Sequence, residues 1–163
     1  MAPKKQKTER KVIGRIDKID LPDLDVWDIP AKVDTGAFTC SIHCAEILEI
    51  EKEGKRWISF LIPESEQLDS FKRYQSDKFT QRIVKSSSGH TENRYVIKTT
   101  LRLFGEDLKA EFTLSDRSSM RYPVLLGRKV LQARYVVDVA KKNQSYKTKK
   151  NTAHAPSHTL KKP

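Results

Sequence analysis

The stretch Val96-Ile97-Lys98-Thr99-Thr100-Leu101-Arg102-Leu103 sets apolar and β-branched side chains against polar ones at a period of two. That period suits a half-buried strand and fits no helix. The same signature returns in short runs at 11–16, 26–33, 46–50, 57–62, 80–84 and 108–114, while long helical periodicity is scarce. Phe104-Gly105-Glu106-Asp107, between two such runs, predicts a hairpin turn. Residues 128–133 make the best short helix, followed by a strand at 134–139. Regularly spaced strands with turn signals predict a mainly β domain, a closed barrel or sandwich, with one short C-terminal helix. A chain of 163 residues holds one such core and not two.

The charge is distributed unevenly. Of the net +11, residues 1–11 carry +4 and residues 141–163 carry +7, so residues 12–140 are neutral, with 20 basic and 20 acidic side chains. The expected organisation is a disordered basic tail over 1–11, one domain over 12–140, and a second disordered basic tail over 141–163. A neutral domain lacks the basic face of a dedicated nucleic-acid module, so phosphates are expected to meet only the tails. No apolar run reaches the length of a membrane span, and the basic N-terminus has no hydrophobic segment after it. Two cysteines four residues apart do not make a disulfide framework, which favours a reducing cytoplasm.

The chemistry concentrates in Val33-Asp34-Thr35-Gly36-Ala37, at the end of a run whose apolar members are Val26, Ile29 and Val33. A carboxylate at the end of a buried strand is costly unless it is paired or used. Gly36 permits a close backbone approach that leaves amides free to point at Asp34, and the Thr35 hydroxyl can brace the turn. A second segment, Tyr122-Pro123-Val124-Leu125-Leu126-Gly127-Arg128, is an apolar strand ending in glycine directly before the expected helix.

This ordered pair of motifs resembles the retropepsins, the retroviral-type aspartic peptidases. Between them lie a loop at Ser86–Thr91 and a hairpin at 94–114, in the retropepsin order of flap, hairpin, apolar-apolar-Gly strand and helix. The resemblance is narrower to the bacterial RimB-type family, whose members also carry the label of ATP-dependent zinc proteases. The shared residues are Val12-Ile13-Gly14-Arg15, Lys32 to Ala37, His43, Gly89-His90-Thr91-Glu92-Asn93-Arg94, Asp116-Arg117 through Met120, Leu125 to Arg128, and Val137-Asp138. The resemblance covers about residues 11–139. It implies a homodimeric aspartic endopeptidase in which Asp34, Thr35 and Gly36 form half of the catalytic centre. Two carboxyls about 3 Å apart cannot both ionise easily, so they share a proton and divide the acid and base roles. One Asp-Thr-Gly per chain means that the second comes from a second copy. The resemblance further implies support of the turn by Ala37, Leu125, Leu126, Gly127 and Arg128. It gives a flap with substrate-facing candidates at Ser88, Gly89, His90, Glu92 and Arg94. Arg117 and Arg128 are expected at substrate or in intersubunit ion pairs, the latter favoured for Arg128.

No cofactor is expected. Cys40, His43 and Cys44 would supply three zinc ligands within five residues, but no second Cys pair and no His-Glu-x-x-His completes a site. His43 is expected to pack near the active-site loop. No Gly-Lys-Ser/Thr loop is present for ATP, so a nucleotide would have to act through a partner. RimB-type proteins resemble companions of ATP-grasp ligases that add glutamates to proteins, which makes an acidic or glutamylated peptide a sensible substrate. The alternative expectation is a catalytically weak module that binds peptides or such a ligase. One position departs from the pattern: Phe38 stands where the bacterial family usually has a basic residue and viral retropepsins an acidic one.

Overall fold

The computed structural model describes residues 9–64, 70–86, 88–116 and 121–154. The strands are β1 (Lys11–Ile13), β2 (Ile16–Leu21), β3 (Val26–Val33), β4 (Cys40–His43), β5 (Ala45–Lys52), β6 (Lys55–Pro63), β7 (Phe71–Ser76), β8 (Thr80–Lys85), β9 (Thr91–Leu103), β10 (Glu106–Ser115), β11 (Val124–Leu126) and β12 (Tyr135–Val137). Two helices follow late in the chain, α1 (Arg128–Leu131) and α2 (Gln144–His154).

The order β10-β4-β11-β3-β2-β9 closes through a β9–β10 pairing into a six-stranded barrel, with β8 extending beyond β9. The expected mainly β closed barrel with a short C-terminal helix is therefore present. Strands β5, β6 and β7 make a separate antiparallel sheet that contributes Ile58, Phe60 and Ile62 to the core. The parallel pair β1–β12 brings the two ends of the domain together. Period two explains the packing of β3 from Ile29 on, where Ile29, Ala31 and Val33 are buried and Lys32 is exposed; an irregularity at Asp28, with φ of 52°, resets the phase after buried Val26. At the β9–β10 hairpin, Phe104 and Gly105 both take positive φ, 52° and 73°, the turn geometry that lets two strands meet with matching twist.

Three differences from the sequence expectations are informative. The run 11–16 is two strands: the chain breaks at Gly14, so β1 pairs with β12 while β2 enters the barrel. Strands β4 and β7 carried no usable signal, because CSIH is buried at every position and FKRYQS is mostly polar. Residues 144–154, placed in a disordered tail over 141–163, form α2. The N-terminus of this helix is held by the carboxylate of Asp17, which accepts from the Ser145 amide at 2.9 Å and the Tyr146 amide at 3.0 Å. No apolar periodicity announced it, because its anchors are polar.

Candidate active site

Strand β3 lies parallel to β11, with Val124, Leu125 and Leu126 opposite Ala31, Lys32 and Val33. The ladder is carried one residue past β3 by the Asp34 amide, which donates to the Leu126 carbonyl at 2.9 Å. There the chain turns. The Gly36 amide donates to Asp34 Oδ1 at 3.0 Å, and the Ala37 amide reaches the Asp34 carbonyl at 3.3 Å. Asp34 is half-buried; Thr35 and Gly36 are exposed.

Helix α1 fixes this turn from behind. The first amides of a helix have no partner within it. Here the Arg128 amide donates to the Ala37 carbonyl at 2.8 Å and the Lys129 amide to the Phe38 carbonyl at 2.9 Å. Gly127 makes the approach possible: a Cβ there would lie 2.5 Å from the Thr39 carbonyl oxygen and 2.8 Å from that of Phe38. Leu126 is fully buried beneath, and Leu125 is nearly so. The Arg128 side chain turns back over the loop, donating from Nη1 to the Thr35 carbonyl at 2.9 Å, with its guanidinium 5.8 Å from the centre of the Phe38 ring. Within one chain Arg128 thus clamps the loop that holds Asp34.

The hairpin β8–β9 stands over the same region, with Lys85 opposite Thr91 and Arg82 opposite Arg94. Its tip is closed by the Ser86 amide donating to the His90 carbonyl at 2.8 Å and the Gly89 amide to the Ser86 carbonyl at 3.0 Å. Between hairpin and turn lies a cavity of about 700 Å³. Of the flap candidates, Arg94 lines it, whereas Ser88, Gly89, His90 and Glu92 sit exposed at or near the tip. Glu92 pairs with Arg94 at 3.1 Å.

Sequence reasoning missed Arg82, Ile83 and Lys129 of the lining, whereas Phe38 stood out and Lys85 begins the expected flap. Arg82 and Lys85 come from β8, Lys129 from α1, and Phe38 and Ile83 add apolar surface. Among the described lining residues, Asp34 is the sole carboxylate against four cations, Arg82, Lys85, Arg94 and Lys129. Behind this rim Glu111 accepts from Arg82 at 3.0 Å and from Lys129 at 3.2 Å. The Arg82 hydrogen bond, followed by that of Lys129, holds its carboxyl below the usual range. The register of the expected flap hairpin was the available signal, since it puts position 82 opposite Arg94.

Cys40, His43 and Cys44 are all buried, but strand alternation sends His43 to the opposite face from Cys40. His43 Nδ1 lies 3.8 Å from the Asp116 carboxylate, and its ring meets Phe71 edge-on. Cys40 Sγ receives the Gly127 amide at 3.4 Å. Burial pushes the Cys40 thiol up to about 11 and that of Cys44 higher still. Protonated thiols are poor metal ligands. Among the described residues, no three His, Cys, Asp or Glu side chains converge on a point that would suit a metal. Arg117 lies outside the described residues.

Comparison with known proteins adds three findings. A family model described as RimB-like, "Retropepsin-like aspartic endopeptidase RimB", matches residues 12–148. A probable alpha-L-glutamate ligase of Desulfotalea psychrophila is 37% identical over 136 residues, covering 83% of this chain and 29% of that protein. Its counterpart in Shewanella pealeana is 39% identical over 128 residues, covering 78% and 28%. The chain thus spans under a third of the length of these relatives. The crystal structure of a Legionella pneumophila protein of unknown function superposes with a TM-score of 0.68 at 26% identity, covering 84% of this chain and 99% of that one.

Proposed function

The chain belongs to the RimB-like family of retropepsin-like aspartic endopeptidases, and we propose from that premise that two copies combine to hydrolyse peptide bonds with a pair of Asp34 carboxyls. The observation that carries this reading is the isolation of Asp34 as the one described carboxylate lining a cationic cavity, on a turn held from both strands and from α1. A lone carboxylate can accept a proton from water but has nothing to protonate the carbonyl with. A second Asp34 at a twofold axis supplies that group, and Thr35, exposed beside it, is suited to brace the two turns against each other.

The chemistry then balances. The ionised Asp34 takes a proton from water as its oxygen bonds to the scissile carbonyl carbon. The protonated Asp34 gives its proton to the carbonyl oxygen. In the tetrahedral intermediate the first carboxyl gives a proton to the nitrogen while the second, now ionised, takes one back from a gem-diol hydroxyl; the C–N bond breaks, leaving a carboxylic acid, an amine and a pair that again shares one proton. The β8–β9 hairpin would close over the peptide and exclude water. Arg82, Lys85, Arg94 and Lys129, partly offset by Glu111 and Glu92, suit an acidic or glutamylated substrate.

A second reading has its own support. The relatives named as probable alpha-L-glutamate ligases carry a segment like this chain within a much longer protein. A module that binds peptides or a ligase, with little catalysis of its own, would fit that context. A statine-type peptide distinguishes the two, because its hydroxyl mimics the intermediate held by a proton-sharing pair. Calorimetry on the full chain is expected to give one inhibitor per two chains, with a competing loss of hydrolysis. One inhibitor per chain, or affinity no better than for the same peptide without the hydroxyl, would favour the binding module. No described helix is long and apolar enough to cross a membrane.

A further inference from the structure

Opposite charges directly across an antiparallel pair are well placed to bind each other. Lys98 in β9 stands opposite Glu111 in β10, yet Glu111 is taken by others. Its Oε2 accepts from Arg82 at 3.0 Å and from Lys129 at 3.2 Å. Lys98 is exposed and makes no ion pair among the described residues. The same holds for Arg134, three residues past the end of α1.

Lys98 and Arg134 line one cavity of about 220 Å³ between the β9–β10 hairpin and α1, together with Lys109 and Lys129. Its deeper wall is apolar, from Cys40, Ala110 and Val130, all buried. Glu111 is the one carboxylate among the described lining residues, and Asp23 bonds Lys109 from beside it at 3.3 Å. With both carboxylates counted, the excess is still positive. A concave surface with one sign of charge in excess concentrates ions of the other sign. The volume lies below the roughly 300–1,000 Å³ of pockets for drug-sized ligands and suits a single phosphate or carboxylate group.

We propose that this cavity is a second binding site, which takes a small oxyanion, phosphate or a carboxylate, on Lys98, Arg134 and Lys129. Hydrogen bonds between charged donors and such a group are the strong ones. Lys109, already bonded to Asp23 and Thr100, adds mainly its charge. Lys129 is shared, because it lines this cavity and the one that contains Asp34. An oxyanion that draws Lys129 toward itself leaves Glu111 to Arg82 and takes one cation from the Asp34 cavity. Occupancy therefore weakens the hold on acidic peptide, and peptide weakens the hold on the oxyanion by the same factor. That coupling rests on the reading of the Asp34 cavity as a peptide cleft; the site itself does not.

The test titrates inorganic phosphate, and separately glutarate, into the full chain at fixed ionic strength, with chloride as the balancing ion. Backbone amide shifts are expected to saturate and to centre on Lys98, Ala110 and Val130. The Lys98→Gln/Arg134→Gln double variant, altered only at exposed side chains, should melt as wild type does and bind about tenfold more weakly. Saturation by phosphate alone assigns the site to the free ion, and saturation by glutarate assigns it to a carboxylate such as a glutamate side chain. Shifts that do not saturate, or an affinity unchanged in the double variant, would overturn the site. Phosphate should also raise the KM of wild type for a Glu-rich fluorogenic peptide about fivefold with kcat unchanged, and do so far less in the double variant. An equal rise in both chains would place the phosphate among Arg82, Lys85 and Arg94 and overturn the coupling. If wild type cleaves no peptide, the Kd of the same peptide on Asp34→Asn replaces KM, so the peptidase reading can fail while the site stands.

Discussion

Asp34→Asn is expected to lower hydrolysis of any peptide the wild type cleaves by at least about 10³-fold, because it removes base and acid together. In a homodimer one substitution converts both carboxyls to amides, and an amide can neither take a proton from water nor pass one to a carbonyl oxygen. Positioned acid–base groups contribute roughly 10²–10⁴-fold each in characterised enzymes, so the joint loss sits at the upper end of that range or beyond it. The fold should be indifferent. The Gly36 amide needs only an oxygen acceptor at 3.0 Å, which the asparagine side chain retains. Stability should change by less than about 1 kcal/mol. Dimerisation should be little changed, since two amides can still hydrogen-bond where the carboxyls shared a proton. Initial rates, thermal melting and sedimentation on the same preparation check all three. A variant that melts normally and still cleaves at the wild-type rate would rule out the Asp34 pair as the catalyst.

Much of this site was legible because its parts are backbone-limited. Asp34-Thr35-Gly36 and Leu125-Leu126-Gly127 can be read directly; at Gly127 any Cβ would lie 2.5–2.8 Å from the Thr39 and Phe38 carbonyl oxygens, so only glycine fits there. The cavity lining was harder. Arg82, Lys85 and Lys129 look like ordinary surface charges in sequence, and only the hairpin register and the first turn of α1 aim them at Asp34. Phe38 stood out as a departure, whereas Ile83, which lines the same cavity, lies on another element, 45 positions away. The barrel was legible through alternation in β3 and β9. Strand β4 was not, because a strand buried on both faces loses the period of two. Cys40, His43 and Cys44, an incomplete ligand set in sequence, are divided by alternation, which puts His43 on the opposite face from Cys40.

Removal of α2 is expected to cost the fold on the order of 3 kcal/mol, although its sequence looks like a solvated basic tail. Three polar attachments would be lost at once. Asp17, only 2% exposed, would lose the Ser145 and Tyr146 amides. The Phe104 amide, in a turn with positive φ, would lose its acceptor Ser145 Oγ at 2.8 Å. Asp20 would lose Lys149, which bonds its two oxygens at 3.0 and 2.9 Å and also reaches Asp28 at 2.6 Å. Bonds to charged groups contribute about 1.5–3 kcal/mol each, and water reaching the uncovered groups returns much of that. Point variants of the full chain isolate the anchor. Burial raises the Asp17 carboxyl above its ordinary 3.8, outweighing the amide bonds that lower it. A carboxyl raised in this way binds its proton more tightly folded than unfolded. Its contribution to stability is complete below about 3.8 and is lost as pH rises through the folded value. At neutral pH the ionised form is therefore the less favourable one, but Asp17→Asn keeps one acceptor oxygen and turns its N–H₂ against the other amide, so it should lose about 1 kcal/mol. Asp17→Ala leaves the amides of α2 without a partner and should lose about 2 kcal/mol, as helix caps do. Urea midpoints at neutral pH order the three chains as wild type, then Asp17→Asn, with Asp17→Ala lowest. Equal midpoints for all three would mean that α2 is held by something other than the Asp17 carboxylate. The same attachments mean that cutting the chain after residue 140 would remove a structural anchor together with the basic charges of α2. Reversing the exposed charges in place, at Lys147 and Lys150, keeps the helix docked and tests the charge alone.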